Sequence, residues 1–293
     1  MAEGDWFTAF CATLRIGTVQ RSSIATRTAR ITRQLNRSFR GNESDSANRF
    51  YVGSFGRNTA IPSVSDVDVL YVLPSELYHQ YDAHAFNGQS ALLGAVRTAL
   101  QGTYPTSQIA GDGQVVVINF DDGIRFEVLP AFVNQGGGYT FPDSNAGGSW
   151  KTCKPKQEME AFSARNLACN QNLVELGRMA RAWRDTNNAP LSGMLIDTFA
   201  YQFIATWKYR EQSYWYYDFM TRDFFAFLAG LSDVQVYWQA PGSGSYVWRG
   251  GSFVYKARQA ELRALEAITF QNAGREWSAK QKYREIYGTN FPE

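Results

Sequence analysis

The stretch GSFGRNTAIPSVSDVDVLYVL, residues 53–73, carries the strongest structural signal in the chain. Its end, VDVLYVL, is rich in β-branched and aromatic residues, which is typical of a strand, and FYVGSF at residues 50–55 has the same character. The turn-like GRNTAIPSVSD between them predicts a loop. We therefore expect two strands around this loop.

Two aspartates begin the second of these strands, with Val67 between Asp66 and Asp68. Because successive side chains of a strand point to opposite faces, both carboxylates are expected on one face. Two anions held this close repel, and a divalent cation that also binds a substrate phosphate offsets that repulsion. The pair alone is equally compatible with solvated acids at a strand entry.

Two features outside this pair favour a phosphate and metal site. Gly53 and Ser54 end the preceding strand, where backbone N–H groups and a hydroxyl can approach phosphate oxygens. Glu127 lies in an apolar strand, where an unpaired carboxylate is costly to bury. Three such acids suit two-metal phosphoryl transfer, with Asp66 and Asp68 bridging two Mg²⁺ ions and Glu127 holding the ion that activates the nucleophile. If Glu127 is instead a structural acid, Arg125 is a candidate partner.

The rest of the chain predicts a mixed α/β fold of two lobes. We expect a sheet lobe over residues 1–150, with a long N-terminal helix that backs both lobes, and a helical lobe over residues 151–293 that completes a nucleotide cleft. Aromatic residues between 199 and 255 are expected in the helical core. The predicted elements are helices over 24–40 and 87–100, a hairpin of 114–120 and 124–130, a loop over 134–155, and helical segments over 157–185, 191–210 and 255–287.

Charge and cysteine content exclude several classes of protein. The 29 Lys and Arg nearly balance the 27 Asp and Glu, and the formal charge of +2 argues against a general nucleic-acid coat protein. The 3 cysteines are far apart and support neither a disulfide framework nor a zinc site. Acids at the N-terminus and the lack of an apolar run of about 18 residues predict a cytoplasmic protein without a membrane span.

Three other features of the sequence are not assigned to the predicted site. An arginine stripe on the helix over 24–40 fits either a nucleic-acid surface or an ordinary solvated helix face, and both interpretations stay open. His79 and His84 do not share a helical face and have no third ligand nearby, so we interpret them as surface residues. The glycines at 136–138 lack the Lys-Ser/Thr of a phosphate-binding P-loop and are interpreted as loop.

In combination, several stretches resemble the bacterial cGAS/DncV-like nucleotidyltransferases (CD-NTases) of the DNA polymerase β-like superfamily. They are residues 53–73, INFDDGIRFEVLPAF, YTFPDSNAGGSW, LGRMARAWRDTNNAPLSGMLIDTF and KYREIYGTNFP. The resemblance implies a two-lobed polymerase β-like fold and a metal triad of Asp66, Asp68 and Glu127. It also implies that Gly53, Ser54, Arg181 and Ser192 bind the nucleotide phosphates.

The resemblance also implies the reaction and its partners. Nucleoside triphosphates would be joined into a cyclic di- or trinucleotide second messenger with release of pyrophosphate, and a product-sensing effector protein would respond in anti-phage defence. Nucleic acid is not required, nor is it excluded. Glu127 replaces the commoner Asp, which admits Mn²⁺ beside Mg²⁺, and Asp197 stands where Glu is frequent. The alternatives are linear oligonucleotide synthesis or RNA-end addition, and a catalytically idle nucleotide-binding module.

Overall fold

The computed structural model describes residues 3–63, 66–105 and 107–293. The chain divides into two compact units. The sheet unit comprises Ile16–Gly56 and Ser63–Gln157, and the helical unit comprises Met1–Arg15, Arg57–Pro62 and Glu158–Glu293. Val64 and Ser65 of the predicted loop, and Met1 and Ala2 of the predicted sheet lobe, lie outside the described residues.

A seven-stranded mixed sheet forms the first unit, in the order β1-β2-β5-β4-β3, with β6 paired to β5 and β7 to β6. β2 and β5 are parallel, and the other pairs are antiparallel. The strands are β1 (Arg49–Tyr51), β2 (Asp66–Val72), β3 (Gln108–Asp112), β4 (Val115–Asn119), β5 (Arg125–Val133), β6 (Tyr139–Asp143) and β7 (Ser149–Cys153). The helices are α2 (Thr18–Arg40), α3 (Gly53–Gly56), α4 (Glu76–Asp82) and α5 (Gly88–Gln101), numbered after α1 (Glu3–Thr13) of the helical unit.

One face of this sheet is apolar and carries the core. Val67 and Phe126, on neighbouring strands, pack with Ile31 of α2 and Val96 of α5. Burial alternates along the start of β2 and β5, so the residues between these apolar positions emerge on the other face. The helices cover one side of the strands that carry the predicted acids.

Helix α2 confirms the predicted helix and explains much of its arginine stripe. Of its members Arg30, Arg33, Arg37 and Arg40, Arg33 pairs with Asp45 at 3.3 Å and Arg37 with Glu43 at 3.8 Å. Arg40 donates to the carbonyl of Val72 at 2.9 Å. These partners fit the ordinary solvated helix face, the second of the two interpretations.

The helical unit is built around an aromatic core. Phe199, Phe224 and Trp238 are buried there, as expected for this segment, whereas Trp215 is exposed. Besides α1, its elements are α6 (Pro155–Ala168), which starts in the sheet unit, α7 (Asn172–Asn187), α8 (Gly193–Thr206), α9 (Tyr217–Ala229), α10 (Val254–Asn272), α11 (Glu276–Tyr287), β8 (Tyr237–Gln239) and β9 (Tyr246–Trp248).

Three local predictions differ from the structure. The N-terminal segment belongs to the helical unit, because Phe7 and Phe10 of α1 pack against Tyr283 and Tyr287 at ring-centroid distances of 5.1 and 4.7 Å. The predicted loop over 134–155 contains the hairpin of β6 and β7. The first predicted strand ends at Tyr51, and residues 53–56 form the short helix α3. Among the described residues, no helix has both the length and the apolar character needed to cross a membrane.

Candidate active site

The aspartate pair lies on the open face of β2, as predicted. Asp66 and Asp68 are partly exposed, whereas Val67 and Val69 are buried on the helix-covered face. Strand geometry thus separates the two kinds of side chain. The apolar residues anchor the strand in the core, and the two carboxylates remain accessible to ligands.

The third acid is brought beside this pair by the parallel pairing of β2 with β5. Asp68 lies opposite Glu127 in the register, and Asp66 lies opposite Arg125. Neighbouring strands are about 4.8 Å apart, and laterally paired residues share a face. Asp66, Asp68 and Glu127 therefore share one face of two adjacent strands, here called the acid face. Their predicted joint role requires this arrangement.

Gly53 lies so close to Asp68 that any other side chain here would displace the Asp68 carboxylate. Its φ of +60° is in the left-handed region, and a Cβ built on it would lie 1.8 Å from Asp68 Oδ2. The N–H of Val52 also donates to the carbonyl of Asp68 at 3.0 Å. Ser54 follows in α3 and is half-buried. The Gly-Ser turn and the acid face are thus parts of one local structure.

Arg125, the expected partner of Glu127 if that acid is structural, lies on the acid face. Arg125 Nη2 is 2.7 Å from Glu127 Oε1 and 3.1 Å from Asp112 Oδ2, and its Nε is 3.9 Å from Asp66 Oδ1. Burial raises the pKa of Glu127 above its ordinary value, an effect that Arg125 partly opposes. The two-residue spacing of Arg125 and Glu127 predicts their shared face, but nothing local in the sequence points to Asp112.

The donor set on this face fits a divalent cation. Carboxylate oxygens are the ligands that Mg²⁺ and Mn²⁺ prefer, and the register provides three carboxylates from neighbouring positions. Among the described residues, no group of three His, Cys, Asp or Glu side chains is close enough together, as oriented here, to bind one metal ion. Arg125 is held against Glu127, and the Asp68 carboxylate lies over Gly53. Asp66, Asp68 and Glu127 are the residues that would hold a metal.

The two remaining predicted residues belong to the helical unit. Arg181 of α7 is buried and donates to both carboxylate oxygens of Asp197 at 2.6 and 2.8 Å, and to the carbonyls of Gly177 and Gly193 at 3.1 Å each. Ser192 is exposed and caps α8, accepting a hydrogen bond from the Leu195 N–H at 3.2 Å. These contacts favour structural roles, and phosphate binding by either residue stays a prediction.

Asp197 is the centre of a buried ion network in the helical unit. Besides Arg181, it accepts from Arg57 Nε at 2.8 Å and from the Thr59 hydroxyl at 3.1 Å. Burial raises the pKa of Asp197, but Arg181 and Arg57 outweigh this effect and hold the pKa below its ordinary value. The network therefore stabilises the fold at neutral pH, and this contribution is lost as the pH falls through the lowered pKa.

We expect Arg181→Ala to destabilise the protein by about 3 kcal/mol, because it leaves a buried carboxylate with one cation fewer. Urea unfolding measures this change. Arg184→Ala on the same helix removes a partly exposed arginine paired with Asp185 at 2.7 Å and should change stability by less than about 1 kcal/mol. A raised KM for nucleoside triphosphate in Arg181→Ala with unchanged stability would favour the phosphate role instead.

The mixed sheet, with its acids on the open face of a parallel strand pair beside a Gly-Ser turn, defines the class as a polymerase β-like nucleotidyltransferase. The chain belongs to the family of the Second Messenger Oligonucleotide or Dinucleotide Synthetase (SMODS) domain, whose model matches residues 1–166. The predicted membership of the CD-NTases and the predicted nucleotidyltransferase activity are thereby confirmed. Comparison with curated proteins gives no match.

Solved structures agree with this fold over almost the entire chain. CdnC of E. coli MS115-1, in complex with HORMA-deltaN, gives a TM-score of 0.71 at 14% identity and covers 99% of this chain and 98% of its own. The Vibrio cholerae DncV apo form gives 0.71 at 13%, with coverage of 96% and 93%. The Bradyrhizobium diazoefficiens CD-NTase CdnG, in complex with GTP, gives 0.69 at 11%, with coverage of 97% and 94%. At identities this low, the similarity to these structures shows a shared fold and nothing more.

Proposed function

We propose that this enzyme joins nucleoside triphosphates into a cyclic di- or trinucleotide in a metal-dependent reaction, with release of pyrophosphate. The observation that carries the proposal is the register that sets Asp68 opposite Glu127, two residues from Asp66, on the open face of the sheet. The product would act in the cytoplasm on a product-sensing effector protein, as a signal in anti-phage defence.

Each residue of the acid face has a role in the proposed transfer. Asp66, Asp68 and Glu127 would hold Mg²⁺ or Mn²⁺, which when bound supplies positive charge for the attacking and leaving oxygens. The Gly53–Ser54 turn would bind phosphate oxygens through a backbone N–H and a hydroxyl. Glu127 would accept the proton of a ribose hydroxyl. The hydroxyl oxygen then bonds to the α-phosphorus of the triphosphate, and the bond from that phosphorus to pyrophosphate breaks. A second transfer of the same kind would close the ring.

The relatives support this choice of substrate. CdnC of E. coli MS115-1 was solved with ATP and the Bradyrhizobium CdnG with GTP. Vibrio cholerae DncV, described as a cyclic AMP-GMP synthase, was solved with the linear intermediate 5' pppA(3',5')pG. A linear intermediate held by a cyclic-product enzyme is what two successive transfers at one site would produce.

Product analysis tests the proposal directly. The protein is incubated with α-labelled nucleoside triphosphates and Mg²⁺ or Mn²⁺, and the products are treated with phosphatase, separated by thin-layer chromatography and identified by mass spectrometry. We expect a product that contains one phosphate per nucleoside and whose mass is the same before and after phosphatase treatment. A product that loses its terminal phosphates would indicate linear synthesis, and the absence of pyrophosphate with every metal would indicate an idle binding module.

A further inference from the structure

Arg125 lies among several acids of the sheet unit. Its guanidinium contacts Glu127 and Asp112, and its Nε lies near Asp66, at the distances given above. Asp112 ends β3, which is separated from β5 by β4. The arginine therefore spans from the predicted metal ligands to an acid outside that set.

The two main partners of Arg125 differ in environment. The Glu127 side chain is 23% exposed, whereas that of Asp112 is 66% exposed. Arg125 donates a hydrogen bond to Asp112 at 3.1 Å, and its Nε is buried without a hydrogen-bond partner. Arg181, by contrast, makes four hydrogen bonds, two to the buried Asp197 carboxylate and two to backbone carbonyls. Arg125 is thus less tightly held than Arg181, and one of its two main partners, Asp112, is mostly exposed to solvent.

A guanidinium and a divalent cation would compete for the same carboxylate. Either cation neutralises Glu127, but the two would repel each other if they contacted the same carboxylate oxygen. We propose that Arg125 is a positioning residue that serves as the counter-ion of the acid face before metal binds. When the Glu127 carboxylate turns to the metal, the guanidinium of Arg125 stays paired with Asp112. This proposal rests on the proposed function, because it takes Glu127 as a metal ligand.

The proposal sets the signs of two substitutions. Arg125→Gln removes the competitor, so divalent-cation binding should tighten by about tenfold, the effect of one charge in a partly solvated site. Asp112→Asn removes the acceptor, so Arg125 stays on Glu127 and binding should weaken severalfold. Simple loss of a distant negative charge would also weaken binding, and the double variant separates the two causes. If Asp112 acts through Arg125, Asp112→Asn should have no effect once Arg125 is Gln.

Titration of the full chain with Mn²⁺ in the absence of nucleotide tests this, with calorimetry or the spin-resonance signal of free Mn²⁺ as the readout. Arg125→Lys, which keeps the charge but loses the planar fork, should fall between wild type and Arg125→Gln. Arg33→Gln is the control, because it removes an arginine that pairs with Asp45 in the same unit, and it should leave Mn²⁺ binding unchanged.

Unchanged or weaker Mn²⁺ binding in Arg125→Gln would overturn the competition, provided that wild type binds and Asp66→Asn with Asp68→Asn does not. An equal effect of Asp112→Asn in both backgrounds would overturn the role of Asp112. Equal Mn²⁺ binding by wild type and the Asp66, Asp68 double variant would overturn both the proposed metal site and this inference.

Discussion

Asp66→Asn combined with Asp68→Asn is expected to abolish nucleotide joining, with a loss of about 10³-fold or more, while the fold stays intact. Each amide keeps the volume of its carboxylate but removes the negative charge that a divalent cation requires. Both side chains are partly exposed, and the core contacts of β2 come from residues that do not change, namely Val67, Val69, Leu70 and Tyr71. Pyrophosphate release and product yield measure the loss, and urea unfolding measures the stability.

A matched double variant controls for the removal of two charges. Glu43→Gln with Asp45→Asn deletes two acids of the same unit that pair with Arg37 and Arg33. These exposed pairs contribute little to stability, so near wild-type activity is expected. Product formation at a comparable rate by the Asp66, Asp68 variant would rule out these residues as metal ligands.

The sequence predicts the two strands of the site but not their pairing. Period-2 alternation places Asp66 and Asp68 on one face, and the apolar residues around Glu127 identify its strand. That these strands are neighbours depends on a parallel pairing across about 60 residues, which no local propensity encodes. The family resemblance, more than periodicity, points to the three acids as one set.

Other features of the structure that the sequence does not show also depend on tertiary contacts. Arg181 shows helical spacing and a charge, but its partner Asp197 lies on a different helix. The sequence predicts Gly53 at the end of a strand, whereas in the structure its positive φ and the nearby Asp68 carboxylate require a turn. The glycines and polar residues before β7 suggest a long loop, although the flanking segments pair as a hairpin. In each case the deciding contact comes from a residue that is remote along the chain.

The surroundings of Glu127 fit two roles. Its partner Arg125 makes it a satisfied ion pair, which a purely structural acid would also show. Its position opposite Asp68 on the open face is what a third metal ligand requires. Burial raises the pKa of Glu127, and a neighbouring positive charge, from Arg125 or from a bound metal, opposes this effect.

Glu127→Gln should therefore lose turnover by about 10²-fold or more while it retains metal-dependent binding of nucleoside triphosphate. The amide cannot accept the proton of the attacking hydroxyl, whereas Asp66, Asp68 and the substrate phosphates still hold the donor-side ion. Single-turnover product formation and equilibrium nucleotide binding measure the two effects separately. Glu127→Asp, which keeps the charge on a shorter arm, should restore part of the activity.

Loss of the ion pair with Arg125 is the competing explanation for a slow Glu127→Gln enzyme. Arg125→Gln breaks the same pair from the other side and leaves the carboxylate in place, so it serves as the matched control. If the carboxylate is the reactive group, Arg125→Gln should retain far more activity than Glu127→Gln at saturating metal. Equal losses in the two variants would assign the effect to the pair. Wild-type turnover by Glu127→Gln would make Glu127 a structural acid, and the third ligand would then have to be another carboxylate of this face, with Asp112 the first to test.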